Sequence, residues 1–407
     1  MQLTGIFVFA VTYLLVAGRR TRALPMDRPA GALIGAVLAV AVGALSPEEA
    51  GRAIDKSTLI LLLAVMGMGA FLSEDGFFDR AAPIVASRAR TRVALLGAVV
   101  WSSGALSALI TNDAVCVLAA PVVVDWIRRW KLPRLPFLLA LATGANTGSV
   151  ATLVGNPQNM LCGSLGQLSF RAHFIHLAPV AVLGLAVNHA VLHLMFRREL
   201  GGELPEAPAD SAPLLTKRSA VTLAVIAGTV VIYMTGASLT YTALGGFSLL
   251  LIVNRTEPAR IWTRIDWSIL LFFGGLFVAV DAFARSGAPE WAFAHVPLYR
   301  DGPALAAYLR TAGYFLVGSN VVTNVPFILI VRAHMAALPD PSLAWELLAM
   351  ASTFAGNLTL LGSVANVIVA EKAEAEGGLR FWEYARAGAP IALLTTIVGT
   401  IWLVLTR

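Results

Sequence analysis

Charge is what this sequence has least of. Asp, Glu, Lys and Arg make up 13% of its 407 residues, about half the share of a soluble domain, while 57% are hydrophobic. So few charges cannot cover a water-facing surface of this size, and apolar runs long enough to span a bilayer recur along the whole chain. Cysteine is nearly absent. Cys116 and Cys162 both fall in apolar segments, which argues against a disulfide framework, and two thiols without a companion cluster make no transition-metal site. The six histidines show no convincing ligand spacing. His189 and His193, four apart, could share a helix face, but isolated interfacial imidazoles are the commoner arrangement. The net charge of +6 does not point to nucleic acid, because the basic residues sit in short clusters at the ends of apolar runs, as topology signals do.

What is present is a series of membrane spans, predicted near 3–18, 29–45, 58–73, 137–165, 174–196, 219–236, 241–254, 267–283, 344–371 and 387–405. The first run is followed, not preceded, by Arg19, Arg20 and Arg22 and has no small-residue cleavage site, so a retained helix is expected. Two further apolar regions, 93–130 and 305–335, carry a polar interruption halfway and are predicted to be hairpins that return on the side they entered. The basic residues support this. Arg88, Arg90 and Arg92 before the first hairpin and Arg128, Arg129, Lys131 and Arg134 after it would lie on opposite sides if 93–130 crossed once. With a hairpin they share one side with Arg197, Arg198, Lys217, Arg218, Arg255, Arg260 and Arg264, and that side is cytoplasmic by the positive-inside rule. The N-terminus then lies outside, and the expected location is a bacterial inner (cytoplasmic) membrane.

The sequence also resembles itself. Ile54-Asp55-Lys56-Ser57 matches Ile265-Asp266-Trp267-Ser268, Ile110-Thr111-Asn112 matches Val322-Thr323-Asn324, and Thr152 to Asn159 matches Thr359 to Asn366, all in the same order. The predicted topology runs the two copies in opposite directions. Inverted repeats of this kind are a transporter signature, since exchanging the conformations of two related halves gives alternating access. The expected organisation is N-terminal scaffold helices (1–53), a first repeat (54–198, hairpin 93–130, broken helix 137–165) and a cytoplasmic linker (199–218). Scaffold helices (219–264) and a second repeat (265–407, hairpin 305–335, broken helix 344–371) follow. The fold class is thus an all-α polytopic membrane protein with two re-entrant hairpins and two broken helices.

Four polar clusters at membrane depth are the candidate chemistry. They are Thr111-Asn112-Asp113; Asn146, Thr147 and Ser149 with Gly155, Asn156, Gln158 and Asn159; Ser319 and Asn320 with Thr323, Asn324 and Pro326; and Asn357, Thr359, Gly362, Ser363 and Asn366. Non-helical backbone survives in hydrocarbon only where it lines a cavity or is buried in protein. Freed carbonyls with Asn and Thr oxygens can coordinate a small cation, and half-helix N-termini offer N–H groups and positive dipole to an anion. The plainer role of such residues is to glue helices together. Their symmetric placement in a repeat favours function. Substrate contact is assigned to Asn112, Asp113, Asn156, Thr323, Asn324 and Asn366. Ion coupling is assigned to Thr111, Asn112, Asp113, Asn146, Thr147, Ser149, Gly155, Asn159, Ser319, Asn320, Asn357, Thr359, Gly362 and Ser363. Asp113, an intramembrane carboxylate, is a proton carrier, a cation ligand or a cap on the second arm of its hairpin. Asp125 and Asp281 lie nearer interfaces, where solvation or pairing with Arg128 and Arg285 is expected rather than a role in transport.

On these motifs the chain, from about Ile54 onward, resembles the ion transporter superfamily that contains divalent anion/sodium symporters, arsenite permeases and citrate transporters. The resemblance implies a scaffold domain, often dimerising, and a transport domain that moves as an elevator. In sodium-coupled dicarboxylate members each hairpin tip carries Ser-Asn-Thr, which binds sodium on one side and a substrate carboxylate on the other. Here the triplets are Thr111-Asn112-Asp113 and Thr323-Asn324-Val325, and the Asn-Asp tip with the Asn-Val-Pro run looks closer to arsenite-permease-like members. The implied function is sodium- or proton-coupled transport of a small anion, oxyanion or oxyacid. Alternatives are an arsenite/antimonite efflux permease specifically, or a sodium/proton antiporter. Sodium at the hairpin tips, or protons, are the candidate coupling ions; no other cofactor is expected. The expected partners are the substrate, membrane lipid and a second copy of the chain. An intramembrane aspartyl protease would need two facing Asp residues, and the counterpart of Asp113 is Val325. A simple channel would need no paired hairpins.

Overall fold

The computed structural model describes residues 3–17, 26–204 and 213–407. Arg19, Arg20, Arg22 and the middle of the 199–218 linker lie outside the described residues. Apart from one isolated bridge between Thr91 and Glu203, the described chain contains no strand. Its helices are α1 (Leu3–Ala17), α2 (Arg28–Ala41), α3 (Pro47–Ala53), α4 (Lys56–Glu74), α5 (Phe77–Arg88), α6 (Arg92–Leu109), α7 (Asn112–Trp130), α8 (Arg134–Ser149), α9 (Pro157–Leu165) and α10 (Phe170–Phe196). The remainder are α11 (Lys217–Met234), α12 (Leu239–Val253), α13 (Pro258–Trp262), α14 (Trp267–Ala284), α15 (Ala288–His295), α16 (Ala304–Val321), α17 (Asn324–Val331), α18 (Pro341–Leu358), α19 (Val364–Lys372) and α20 (Phe381–Thr406).

Six of these (α4, α6, α10, α11, α14 and α20) are long and apolar enough to cross a membrane. The order of elements in α1–α10 recurs one for one in α11–α20, ending in helices of 27 and 26 residues. The recurrence begins earlier than the sequence matches indicate, since it takes in the two apolar helices and the short helix before each Ile-Asp motif. That motif is a helix start. Asp55 Oδ1 accepts from the Thr58 N–H at 2.8 Å and Asp266 Oδ1 from the Ser268 N–H at 3.0 Å, so each satisfies an orphan amide at the head of its helix. The short helices α5 and α15, which join the long helix to the hairpin in each half, have no counterpart among the predicted spans. Each is entered through a left-handed glycine, Gly76 (φ 68°) and Gly287 (φ 76°), a conformation that carries no Cβ penalty only for glycine.

In each half the first hairpin arm packs on the first half-helix: α6 on α8, and α16 on α18. Small residues set the first crossing. A Cβ on Gly144 would meet Ser103 Oγ at 2.6 Å and Val100 O at 2.9 Å, and one on Gly148 would overlap the Gly104 backbone. Without water to drive apolar association, such close backbone approach is the main source of helix–helix attraction in a membrane. Other contacts cross between halves. The return arm α7 packs on α19 and α17 on α9, while α2 packs on α14 and α12 on α4. The apolar pair that opens each half therefore covers the long helix of the other.

Candidate functional site

Both hairpins break at matching places. The first stops at Leu109 and restarts at Asn112, the second stops at Val321 and restarts at Asn324. At the first tip Thr111 is the cap, its Oγ1 accepting from the Ala114 N–H at 3.3 Å. This corrects one of the roles expected for Asp113: the hydroxyl before it, not its carboxylate, caps the return arm. At the second tip Thr323 has φ 68° and ψ 157°, a region open essentially to glycine. Each tip is tied to a carbonyl in the broken helix of its own half. The Asn112 N–H donates to Gly155 O at 2.9 Å and Asn324 Nδ2 donates to Gly362 O at 3.1 Å.

The broken helices α8/α9 and α18/α19 leave carbonyls without helical partners. Carboxamides take them up. Asn159 Nδ2 donates to Ser149 O (3.2 Å) and Thr152 O (3.0 Å), and Asn366 Nδ2 donates to Gly356 O (2.6 Å) and Thr359 O (3.1 Å). Between halves, Asn156 Nδ2 donates to Thr353 Oγ1 (3.1 Å) and Ser363 Oγ to Asn146 Oδ1 (3.1 Å). Thr353 Oγ1 donates to Asn159 Oδ1 (3.0 Å) and Asn146 Nδ2 to Asn366 Oδ1 (2.9 Å). Each of these bonds in one half has its counterpart in the other when Asn146 is exchanged with Thr353, Asn156 with Ser363 and Asn159 with Asn366. Asn146 also accepts from Asn112 Nδ2 at 2.8 Å and donates to Asn357 Oδ1 at 3.1 Å, while Asn357 Nδ2 donates to Thr147 Oγ1 at 2.9 Å. His173, fully buried on α10, reaches Val150 O at the end of α8 with Nε2 at 3.1 Å. Three buried polar atoms here have no partner among the described residues: Ser107 Oγ, its counterpart Ser319 Oγ, and Asn324 Oδ1. They are oxygens of the type a sodium ion accepts.

Beside this network lies a cavity of about 300 Å³. Of the predicted residues, Asn112, Asp113, Asn320, Thr323, Asn324, Thr359, Gly362 and Ser363 line it. Asn146, Thr147, Ser149, Gly155, Asn156, Asn159, Ser319, Asn357 and Asn366 do not; they lie behind the wall, and Thr111 faces a second cavity. Sequence reasoning missed Arg28, Tyr13, Phe272 and Phe273 in the lining, and quoted Gln158 without assigning it a role. Arg28 looks in sequence like one more topology arginine, and nothing local marks it out. Tyr13 on α1 donates its hydroxyl to Val321 O at the second hairpin tip, a contact between segments too far apart in sequence for any pattern to reveal. Asp113 is 8% exposed and lines the cavity together with Ser363 and Val364 at the start of α19. The other half-helix start, at Pro157 and Gln158, lines the same cavity. The two other acidic residues weighed in the sequence pair elsewhere. Asp281 binds Arg285 (2.8 Å) and also Arg332 (2.5 Å), while Asp125 pairs with Arg129 (3.8 Å) rather than Arg128, which binds Glu376 (2.9 Å).

Comparison with known proteins bears on what such a site does. The model of a family described as citrate transporter matches residues 13–355. A silicon efflux transporter of Oryza sativa subsp. japonica is 30% identical, over 97% of this chain and 96% of its own. A 46 kDa membrane protein of Mycobacterium leprae is 30% identical over 99% and 98%, and the arsenical pump membrane protein of Escherichia coli is 25% identical over 74% of each. Among solved structures, the YdaH transporter of Alcanivorax borkumensis matches with a TM-score of 0.56 at 14% identity, covering 99% of this chain and 96% of that one; this shows a shared fold.

Proposed function

This chain belongs to the citrate transporter family, and from that premise we propose that it is a secondary active transporter of a small anion, oxyanion or oxyacid, driven by sodium or protons. The observation that carries the reading is the single cavity into which both hairpin tips and both breaks turn polar groups: Asn112 and Asp113, Thr323 and Asn324, Gln158, and Thr359 to Ser363. Freed backbone and carboxamides supply donors for oxygen atoms of a substrate, and Arg28 with the Gln158 half-helix start supplies positive potential. The unpartnered oxygens at Ser107, Ser319 and Asn324 are suited to a coupling cation. The matched hydrogen bonds of the two halves support an inverted repeat, and with it alternating access of the elevator kind. We place the protein in a bacterial inner membrane with its N-terminus outside, as a homodimer.

Within that class, one observation favours an uncharged oxyacid over a dianion. Asp113 lines the cavity beside the start of α19, so a dianion would meet an ionised carboxylate there or require it to be protonated. Two relatives are named for silicon and arsenical transport, and silicic acid and the trivalent arsenous acid are both uncharged near neutral pH. The test is uptake and efflux by the purified protein in liposomes with arsenite, antimonite, silicic acid, citrate, succinate and sulfate. Flux of at least one solute that follows an imposed sodium or pH gradient is expected. Flux indifferent to both gradients would overturn the proposal, and proton movement driven by sodium with no solute present would favour the antiporter instead.

A further inference from the structure

A second cavity of about 230 Å³ lies between α4, α7 and the turn that leads into α14. It shares Asp113 and Ile269 with the first cavity, so the Asp113 carboxylate sits in the partition between two chambers. Their chemistry differs. The first holds Arg28, carboxamides and aromatic rings. The second holds Thr111, Ala114, Ser73, Arg264 and Asp266. Arg264 is matched there by Glu74 at 2.6 Å and donates to Ser73 Oγ at 3.1 Å. Its positive charge is thus spoken for, and Asp113 and Asp266 remain as an excess of negative charge with no ion-pair partner among the described residues. Asp113 is buried while Asp266 is exposed, and a buried carboxylate is costly to charge unless a cation or proton joins it.

Every charged neighbour of Asp113 fits this polarity. Arg28 comes from α2 on the substrate side, Arg264 and Asp266 from the α13–α14 turn, and Val364 and Ile368 from α19, with Glu371 further along that helix. Cys116 is one turn along α7. The helices α5, α6 and α8 put no titratable side chain into either cavity. Ala114 and Asp266 line only the second cavity.

We propose that the second cavity is a cation vestibule, through which a small monovalent cation, sodium or a proton, reaches Asp113 from the Arg264–Asp266 side without entering the substrate cavity. This rests on the reading of the chain as a cation-coupled transporter. Two routes to one carboxylate let the coupling ion be sensed by the hairpin tip while the substrate is held on its other side.

The test uses the full chain in liposomes, titrated with sodium chloride against choline chloride at fixed pH, and separately with pH in the absence of sodium. Whichever arm changes transport identifies the ion. Asp266→Asn is expected to raise the sodium concentration for half-maximal uptake, or to shift the pH midpoint, by about tenfold or one pH unit, with the substrate KM unchanged. Ala114→Leu, which fills the vestibule, is expected to abolish gradient-driven uptake while substrate–substrate counterflow persists. Should Ala114→Leu fail to fold, Ser73→Cys gives an independent reading: its modification by a cationic thiol reagent should be slowed by the coupling ion with no substrate present. Wild-type ion dependence in Asp266→Asn, equal loss of uptake and counterflow in Ala114→Leu, or protection of Ser73→Cys by substrate alone would each overturn the vestibule. Transport by the unaltered protein that ignores both ions would instead defeat the coupled-transporter reading itself.

Discussion

Asn146 makes four side-chain hydrogen bonds, accepting from Asn112 and Ser363 and donating to Asn357 and Asn366. It thereby ties one hairpin tip to both broken helices. Asn146→Ala should leave several buried groups unpaired at about 1–3 kcal/mol each, so a large fall in thermal stability in detergent is expected together with lost transport. Asn324 is a contrasting case. It gives one bond, to Gly362 O, and its Oδ1 has no partner while it lines the cavity. Asn324→Ala should therefore abolish transport with unfolding hardly changed, and wild-type uptake by this variant would remove the tip from the site. Asp113→Asn keeps the volume but takes away the titratable group, so the pH dependence of transport should flatten. An unchanged profile would leave Asp113 as no more than a polar group in the cavity wall. These residues were visible in the sequence because Asn, Asp and Gly are out of place in hydrocarbon. Their division into cavity wall and supporting network was not, because both roles ask for the same donors and acceptors.

At the scale of elements, two backbone features are tests of packing. Gly148 lies so close to Gly104 that a methyl group has no room. Gly148→Ala should force α6 and α8 apart at a cost of about 1–3 kcal/mol, read as a lower unfolding temperature that Gly228→Ala, in open space on α11, does not show. Thr323 holds a left-handed backbone at the second tip, a strain of about 1–3 kcal/mol that exceeds the roughly 0.5–1 kcal/mol a glycine costs. Thr323→Gly is thus expected to unfold at higher temperature while transporting poorly, since the hydroxyl is lost from the cavity. Long apolar helices and their Asp caps were legible, as periodicity and capping act within a few residues. The connecting helices α5 and α15 were not, because they are short and their stability comes from packing on the long helices rather than from propensity.

At the scale of the whole molecule, the proposed topology places both flanks of the first hairpin on one side of the membrane and both flanks of the second on the other. Single cysteines at Ser87 and Lys131 should react with an impermeant reagent only after the membrane is opened, whereas cysteines at Asp301 and Ala337 should react in intact cells. All four positions are exposed. Reaction of Ser87→Cys and Lys131→Cys from opposite sides would turn the hairpin into a span and remove the inverted relation. By itself the sequence determined the membrane setting, the helical class and the positions of the breaks, because each follows from hydrophobicity, charge and capping along a local stretch. Only the tertiary structure decided that α2 covers α14 and α12 covers α4, that Arg28 and Tyr13 reach the second hairpin's cavity, and that Asp113 stands between two chambers. Those outcomes depend on which apolar faces meet, and lipid-like side chains carry too little pattern to specify a partner in advance.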